Sequence, residues 1–206
     1  DMSVYHGRSE RMIRLSDSFN LFGRDREVMN EAFPGDIIGF VTKLDFRIGD
    51  TISTDPKLVY EEIPRFAPEC FGYLHNSSSA TSKSFRKGLD HLLAEDIVQA
   101  FMLQHSRQNT PLLGAVGPLQ FEVLQYRLKD EYGAATDMEN MPWKIMRWVD
   151  SPLSSEDLAK TLPQGGTLAT DDQERRVLLF TTEWYLRYYA DNNPTIKFYD
   201  SPSREV

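Results

Sequence analysis

The sequence predicts an α+β protein in two parts, a strand-rich N-terminal part and a C-terminal part in which strands and helices alternate. Two observations favour this division. Residues 1–62 contain short apolar runs separated by turn residues and show almost no helical periodicity. Beyond residue 69, apolar residues recur at helical spacing in two segments, and each segment lies between strand-like runs.

The N-terminal part has strand-like runs at residues 4–6, 12–15 and 37–41. Turns are marked by Pro34-Gly35-Asp36 and by Gly49-Asp50, because proline presets φ and glycine permits a positive φ. Short strands at this spacing favour a β-barrel or a sandwich over a helical domain. These strands are too few to close a barrel, and the chain begins with Asp1 rather than Met, so we expect residues 1–62 to be the C-terminal part of a barrel domain.

A linker is predicted at residues 63–68, where Pro64 and Pro68 forbid a continuous helix or a central strand. The predicted domains are therefore 1–62 and 63–206. Within the second domain, strand-like runs at 69–74, 97–103 and 112–116 alternate with helical patterns, and further strand-like residues follow at 134–139 and 143–149. The order β-α-β-β-α-β is typical of a ferredoxin-like core, which we place at 67–150. The nearly continuous apolar run 97–103 is predicted to be a buried strand.

The second helix of this core has the clearest boundaries in the chain. Pro118 suits the first helical position, because its missing N–H needs no partner there, and Gly133 suits a left-handed C-cap. The main apolar stripe consists of Phe121, Leu124, Leu128 and Tyr132. A second apolar set consists of Leu119, Val123 and Tyr126. We expect the second set to meet the residues after Asp150 or the barrel across the linker; burial within one fold and a position between two domains both stay open.

Residues 151–206 are predicted to form an α/β extension. Ser154 or Ser155 caps a short helix that ends near residue 162, and a strand at 177–182, a helix at 183–190 and a strand at 196–199 follow. One long helix over 171–190 is an alternative, because helical spacing also runs through Val177, Trp184 and Tyr188. No internal repeat is visible in the sequence.

Composition excludes several classes of function. The 206 residues carry a formal net charge of −8, which argues against a protein that coats nucleic acid along its whole length. No apolar run is long enough to span a membrane, and no secretory signal pattern opens the chain. The single cysteine, Cys70, excludes internal disulfides and multi-cysteine metal sites. A free thiol without a signal favours a cytoplasmic location.

No catalytic motif is present in the sequence. There is no glycine-rich loop ending in Gly-Lys-Ser/Thr, which a nucleotide-hydrolysing site needs to hold phosphates and magnesium. The four histidines lack metal-ligand spacing, and no Gly-x-Ser-x-Gly elbow occurs. We therefore predict no catalytic, cofactor or metal site in these residues.

Basic clusters are the positive signals. Lys83, Arg86 and Lys87 fall in the first turns of the helix that follows a Ser-rich loop, where cations oppose the positive end of the helix dipole. Such placement favours anion binding, and RNA phosphate is a suitable anion, although a solvated polar face explains the same pattern. A second group of candidate RNA contacts consists of Arg8, Arg11, Arg14, Arg24 and Arg26. Surface charge on a barrel explains this group equally well.

Several segments together resemble a known family. The segments are 19–28, 30–39 with 48–51, 63–69, 116–121 and 143–150. They are similar to the bacterial class II release factors, which are translational GTPases, and the resemblance is densest over 19–150. It implies that residues 1–62 belong to a second-domain barrel, that 63–206 form a third domain, and that a GTPase domain precedes Asp1.

The resemblance also implies a function. Members of this family act on the ribosome after peptide release and promote departure of the class I release factors. The expected partners are small-subunit rRNA and protein, the class I factors indirectly, and the GTPase domain in cis, with no membrane partner and a monomeric chain. GTP or GDP and Mg²⁺ would belong to the missing domain, so the fragment itself should not be an enzyme. The alternatives are a ferredoxin-like ligand-binding regulatory module or the equivalent portion of elongation factor G.

Overall fold

A computed structural model describes residues 2–22, 25–29, 31–42, 44, 46, 48–60, 65–104 and 110–202, with the backbone alone at 16–17, 20–22 and 25–27. The chain divides into two compact units, Asp1–Ile63 and Pro64–Val206. In both units the described sheets are antiparallel, and the described helices are confined to the second unit. The α+β class predicted from the sequence is confirmed.

The first unit is built on one long, bent strand. Its sheet contains β1 to β5, at Met2–His6, Arg11–Phe22, Asp25–Val28, Ile38–Val41 and Ile52–Ser53. The first half of β2 pairs with β1, and its second half pairs with β3 and β4 across an irregularity between Ser16 and Ser18. A bulge of this kind bends a strand and increases its twist. Closure of the sheet into a barrel stays a prediction.

The second unit begins with a β-α-β-β-α-β motif. Its elements are β6 Cys70–Asn76, α1 Ser82–Ala94, β7 Gln99–Leu103, β8 Leu112–Ala115, α2 Pro118–Tyr132 and β9 Thr136–Met141. The strand order β9-β6-β8-β7 is the ferredoxin-like order, with the first and third strands in the middle. A short 3₁₀ turn at Ser79–Thr81 leads into α1. The helix predicted at 118–132 is confirmed at both ends, and Gly133 adopts φ +65° as its C-cap.

A second motif of the same order follows directly. Its elements are β10 Ile145–Asp150, α3 Ser155–Thr161, β11 Gly166–Thr170, β12 Arg176–Phe180, α4 Glu183–Asn192 and β13 Lys197–Tyr199. The strand order β13-β10-β12-β11 repeats the order of the first motif. Residues 143–149 therefore open this second motif, and the residues after 150 complete it. The topology is duplicated although the sequence shows no repeat.

The two motifs join into one eight-stranded sheet through β7 and β11, where Leu103 pairs with Ala169. Helices α1 and α2 cover a core that includes Leu113, and α3 and α4 cover a core that includes Leu178. The neighbouring residues Leu112 and Leu179 lie on the opposite face, in a single cluster that draws residues from both motifs. The helix-free faces of the two motifs thus share one hydrophobic core.

Three predictions about packing need correction. The run predicted as a buried strand at 97–103 is buried only in part: Phe101 faces the shared core and Ala100 packs against the core beneath α1 and α2, but Met102, near the end of β7, is 43% exposed. The long helix over 171–190 is wrong, since β12 pairs with both β10 and β11 before α4 begins. The second apolar face of α2 is not covered by the residues after Asp150. Its members stay exposed, at 66% for Leu119, 41% for Val123 and 67% for Tyr126.

Candidate nucleic-acid interface

The three cations predicted near the start of α1 lie on one exposed face of that helix, here called the basic face of α1 (Lys83, Arg86 and Lys87). They border an open depression of about 430 Å³, which Ser82, Asp90 and His91 complete. Within the described part of the chain, none of the three side chains makes an ion pair or a hydrogen bond. Their charges are therefore free to meet an anion from outside.

The opposite face of α1 holds this arrangement in place. Gly88, Leu89 and Leu92 are buried beneath it, and the helix packs against α2. The approach is close at Gly88, where an added Cβ would lie 2.7 Å from Cγ of Tyr132. His91 Nδ1 and the Tyr132 hydroxyl lie 3.1 Å apart, within hydrogen-bond distance. The basic face is thus carried by a helix whose opposite face packs against α2.

The start of α1 carries positive charge that its first turn does not compensate, and Asp90, one turn beyond Arg86, is the acidic residue that lines the same depression. The hydroxyl of Thr81, the N-cap residue, donates within the preceding loop, to Asn76 Oδ1 at 2.9 Å or to the Ser78 carbonyl at 3.0 Å, and does not cap the helix. No acidic residue lies in the first turn. Because the helix dipole adds roughly half a positive charge at this end, the dipole and the cations repel each other. An anion bound here would relieve that repulsion.

The described N-terminal arginines, Arg8, Arg11 and Arg14, do not all lie on one face. Arg8 makes a bidentate pair with Asp50, with Nε to Oδ1 at 2.8 Å, and His6 Nε2 lies 2.9 Å from the same carboxylate. Arg11 and Arg14 lie on opposite faces of β2, because successive strand residues alternate. Arg26 is on β3 with its backbone alone described, and Arg24 lies outside the described residues. The proposed contacts at these positions stay predictions.

The second motif contains a buried carboxylate that was not predicted from the sequence. Asp171 is 7% exposed and accepts four hydrogen bonds. The donors are Trp148 Nε1 at 3.0 Å, Arg175 Nε at 2.8 Å and the backbone N–H groups of Gln173 and Arg175 at 3.0 and 2.9 Å. The Asp-Arg spacing of four was visible in the sequence. Trp148, 23 residues away, was not a visible partner. Because all four hydrogen bonds to the Asp171 carboxylate come from within the second motif, this carboxylate has a structural role.

Two further ion clusters join elements within the second unit. Arg127 on α2 bridges Glu95, beyond the end of α1, and Glu131 one turn along α2. Hydrogen bonds to Glu131 and then to Glu95 raise the pKa of Arg127 above its ordinary value. Arg65 bonds Asp172 at 2.8 Å across 107 residues of sequence. Separations of this kind carry no local signal, so sequence reasoning could not pair these residues.

Among the residues that the structure describes, no three His, Cys, Asp or Glu side chains gather closely enough to hold a metal ion. No described helix is both long enough and apolar enough to cross a membrane. The basic face of α1 is therefore the candidate site that the geometry supports best.

Residues 60–190 match the model of the class II release factor RF3 C-terminal domain. Because this match covers more than half of the 206 residues, the chain belongs to that family.

Curated relatives with this similarity are named peptide chain release factor 3. The protein from Synechococcus elongatus is 44% identical over 197 residues, which cover 96% of this chain and 35% of the relative. The protein from Gloeobacter violaceus is 40% identical over 201 residues, covering 97% of this chain and 38% of the relative. The chain thus spans little more than a third of the length of these relatives.

A solved structure from Thermus thermophilus is similar in fold. The two structures align with a TM-score of 0.56 at 18% identity. The aligned region covers 82% of this chain and 26% of the Thermus thermophilus chain. At this identity the similarity supports the fold alone.

Proposed function

We propose that the chain is the ribosome-binding portion of a bacterial translation termination factor, and that the basic face of α1 contacts rRNA phosphates. Membership of the RF3 C-terminal domain family supports the termination role. The observation that carries the contact surface is the set of three exposed cations without internal partners among the described residues, at a helix start that also lacks an acidic residue. Cations that neutralise phosphates release counterions and so stabilise binding to RNA.

The whole protein, in this proposal, promotes departure of class I release factors from the ribosome after peptide release. GTP or GDP and Mg²⁺ bind in a GTPase domain outside these residues, and the 206-residue chain supplies docking rather than catalysis. It works as a monomer in the cytoplasm, where ribosomes are its partners. The relatives' shared name favours termination over the elongation factor G alternative.

Ribosome binding across a salt series tests the contact surface. The variant Lys83→Ala/Arg86→Ala/Lys87→Ala should bind ribosomes more weakly, and its plot of log affinity against log salt should be shallower by roughly 2. The matched control Lys57→Ala/Lys144→Ala/Lys197→Ala removes the same charge from other exposed positions. An equal loss in both variants would assign the effect to net charge, and no loss in either would make the face a solvated surface. Both outcomes overturn the proposal.

A further inference from the structure

Helix α4 exposes a pair of stacked aromatic side chains. Trp184 is 64% exposed and Tyr188, one turn along, is 50% exposed. Their ring centroids lie 5.3 Å apart and the ring planes differ by 10°. Tyr185 meets the indole of Trp184 edge-on at 5.1 Å. The outer ring faces are available to another molecule.

The support beneath this pair is rigid. The Thr182 side chain caps α4 by accepting from the backbone N–H of Tyr185 at 3.4 Å. Leu186 and Tyr189 are buried on the inner face of the helix, and the Tyr189 hydroxyl lies 2.6 Å from Thr161 Oγ1. An aromatic surface that is already ordered loses little conformational entropy when it binds, which favours its use in recognition. Tryptophan and tyrosine are also enriched among the residues that dominate binding energies.

The charge beside the aromatic pair is negative. Asp191 follows Tyr188 by three residues and Trp184 by seven, so helical periodicity places the three on one face. Asp191 is exposed and has no ion-pair partner among the described residues. The neighbouring Glu183 and Arg187 pair with each other at 3.6 Å and largely offset one another. An unpaired carboxylate next to π faces attracts a cation and repels a phosphate.

We propose that Trp184, Tyr188 and Asp191 form a docking surface for a protein segment that presents an arginine side chain. The guanidinium lies against the exposed ring faces, which carry the negative end of the aromatic quadrupole, while Asp191 accepts its hydrogen bonds. Arginine suits this surface better than lysine because its planar group stacks on rings and pairs with a carboxylate at the same time. This surface is separate from the basic face of α1 and takes a partner of opposite charge.

The test is an NMR titration of the ¹⁵N-labelled chain. Three peptides serve as probes: acetyl-Gly-Arg-Gly-Arg-Gly-amide, its lysine counterpart and its glutamate counterpart. A fourth probe, oligouridine, tests the alternative in which a base stacks on the rings. Trp184→Phe assigns the Trp184 indole N–H signal among the three tryptophans. We expect the arginine peptide to shift that signal at about millimolar concentration, the lysine peptide to shift it less, and the glutamate peptide to leave it in place.

Substitutions test which side chains contribute to binding of the arginine peptide. Followed through the backbone amide signals of α4, Trp184→Ala should weaken binding of the arginine peptide about 5-fold, and Asp191→Asn should weaken it about 2- to 3-fold, because the sites are exposed. Asp130→Asn removes an equal charge from the exposed side of α2 and should change nothing. Circular dichroism verifies that each variant is folded. The proposal is overturned if the indole signal ignores the arginine peptide, if oligouridine shifts it as strongly, or if Asp191→Asn and Asp130→Asn behave alike.

Discussion

The two β-α-β-β-α-β motifs share a topology but differ at their first helices. In the first motif, α1 begins without a side-chain cap or an acidic residue and carries cations at its start. In the second, Ser154 caps α3 by accepting from Asp157 N–H at 3.1 Å, Glu156 and Asp157 occupy the first turn, and Lys160 lies in the last. Each charge in α3 complements the helix dipole, which is worth roughly 0.3–1 kcal/mol per charge.

This difference separates structural residues from candidate contact residues. The second motif follows the rules of helix stability at both of its helix starts, where Ser154 and Thr182 supply side-chain caps. The first motif departs from those rules at the position where its unpaired cations gather. The second motif instead exposes the stacked aromatic pair of α4. In each motif, therefore, the candidate contact surface is a set of exposed side chains on one face of a helix.

The largest expected effect concerns the buried carboxylate of the second motif. Asp171→Ala removes the acceptor of Trp148, of Arg175 and of two backbone N–H groups. Loss of one partner from a buried pair costs about 3 kcal/mol, so urea unfolding should show a decrease of that size in the free energy of unfolding. The adjacent variant Asp172→Ala is the control. Its side chain is 36% exposed and pairs with Arg65, so its loss should cost about 1 kcal/mol or less. Equal costs would mean that Asp171 does not organise the second motif.

The sequence predicted an element well where local signals marked both of its ends. Helix α2 was predicted at both ends because Pro118 and Gly133 each act through their own backbone geometry. Strand β11 was missed because it starts directly after Gly165 and one of its two partners, β7, lies more than 60 residues away, as in the pairing of Ala169 with Leu103. The duplicated topology was invisible for a related reason. A fold is specified by apolar pattern and element order, so two motifs need no sequence identity to share it.

The candidate contact residues also differ in how well the sequence predicted their grouping. The cations of α1 were predicted together because helical spacing places Lys83, Arg86 and Lys87 on one side. Arg11 and Arg14 were grouped by their spacing of three, but they lie in β2, where alternation separates them. The pairing of Arg8 with Asp50 spans 42 residues and had no sequence signal. Spacing predicts a shared face only when the secondary structure that carries it is known.

A smaller effect is expected at the helix contact of the first motif. Gly88→Ala would place a methyl group 2.7 Å from Cγ and 2.9 Å from Cδ2 of the Tyr132 ring. Overpacking costs about 1–3 kcal/mol, while the better helix propensity of alanine returns about 1 kcal/mol. We therefore expect a net loss of about 1 kcal/mol in the free energy of unfolding. In a Tyr132→Ala background the ring is absent and the flexible Leu128 side chain, with Cδ2 2.8 Å from the added methyl group, is the close neighbour that stays, so Gly88→Ala should cost less. The same cost in both backgrounds would contradict a steric contact with the Tyr132 ring.

The smallest effect is a pH dependence that compares one tyrosine from each motif. Burial raises the pKa of Tyr189 in the second motif, although its hydrogen bond with Thr161 opposes the rise. Burial and then the charge of Glu139 raise the pKa of Tyr73 in the first motif. Since the folded pKa lies above the unfolded value of about 10, each group contributes stability that is complete below about pH 10 and is lost as the pH rises toward the folded pKa. Tyr189→Phe should therefore flatten the loss of stability measured by urea unfolding between about pH 9.5 and 11. Tyr73→Phe should flatten it less, because Tyr189 is 2% exposed whereas Tyr73 is only half-buried. If Tyr189→Phe lost stability with rising pH as steeply as the unsubstituted chain, the Tyr189 phenol would ionise as readily in the folded as in the unfolded chain.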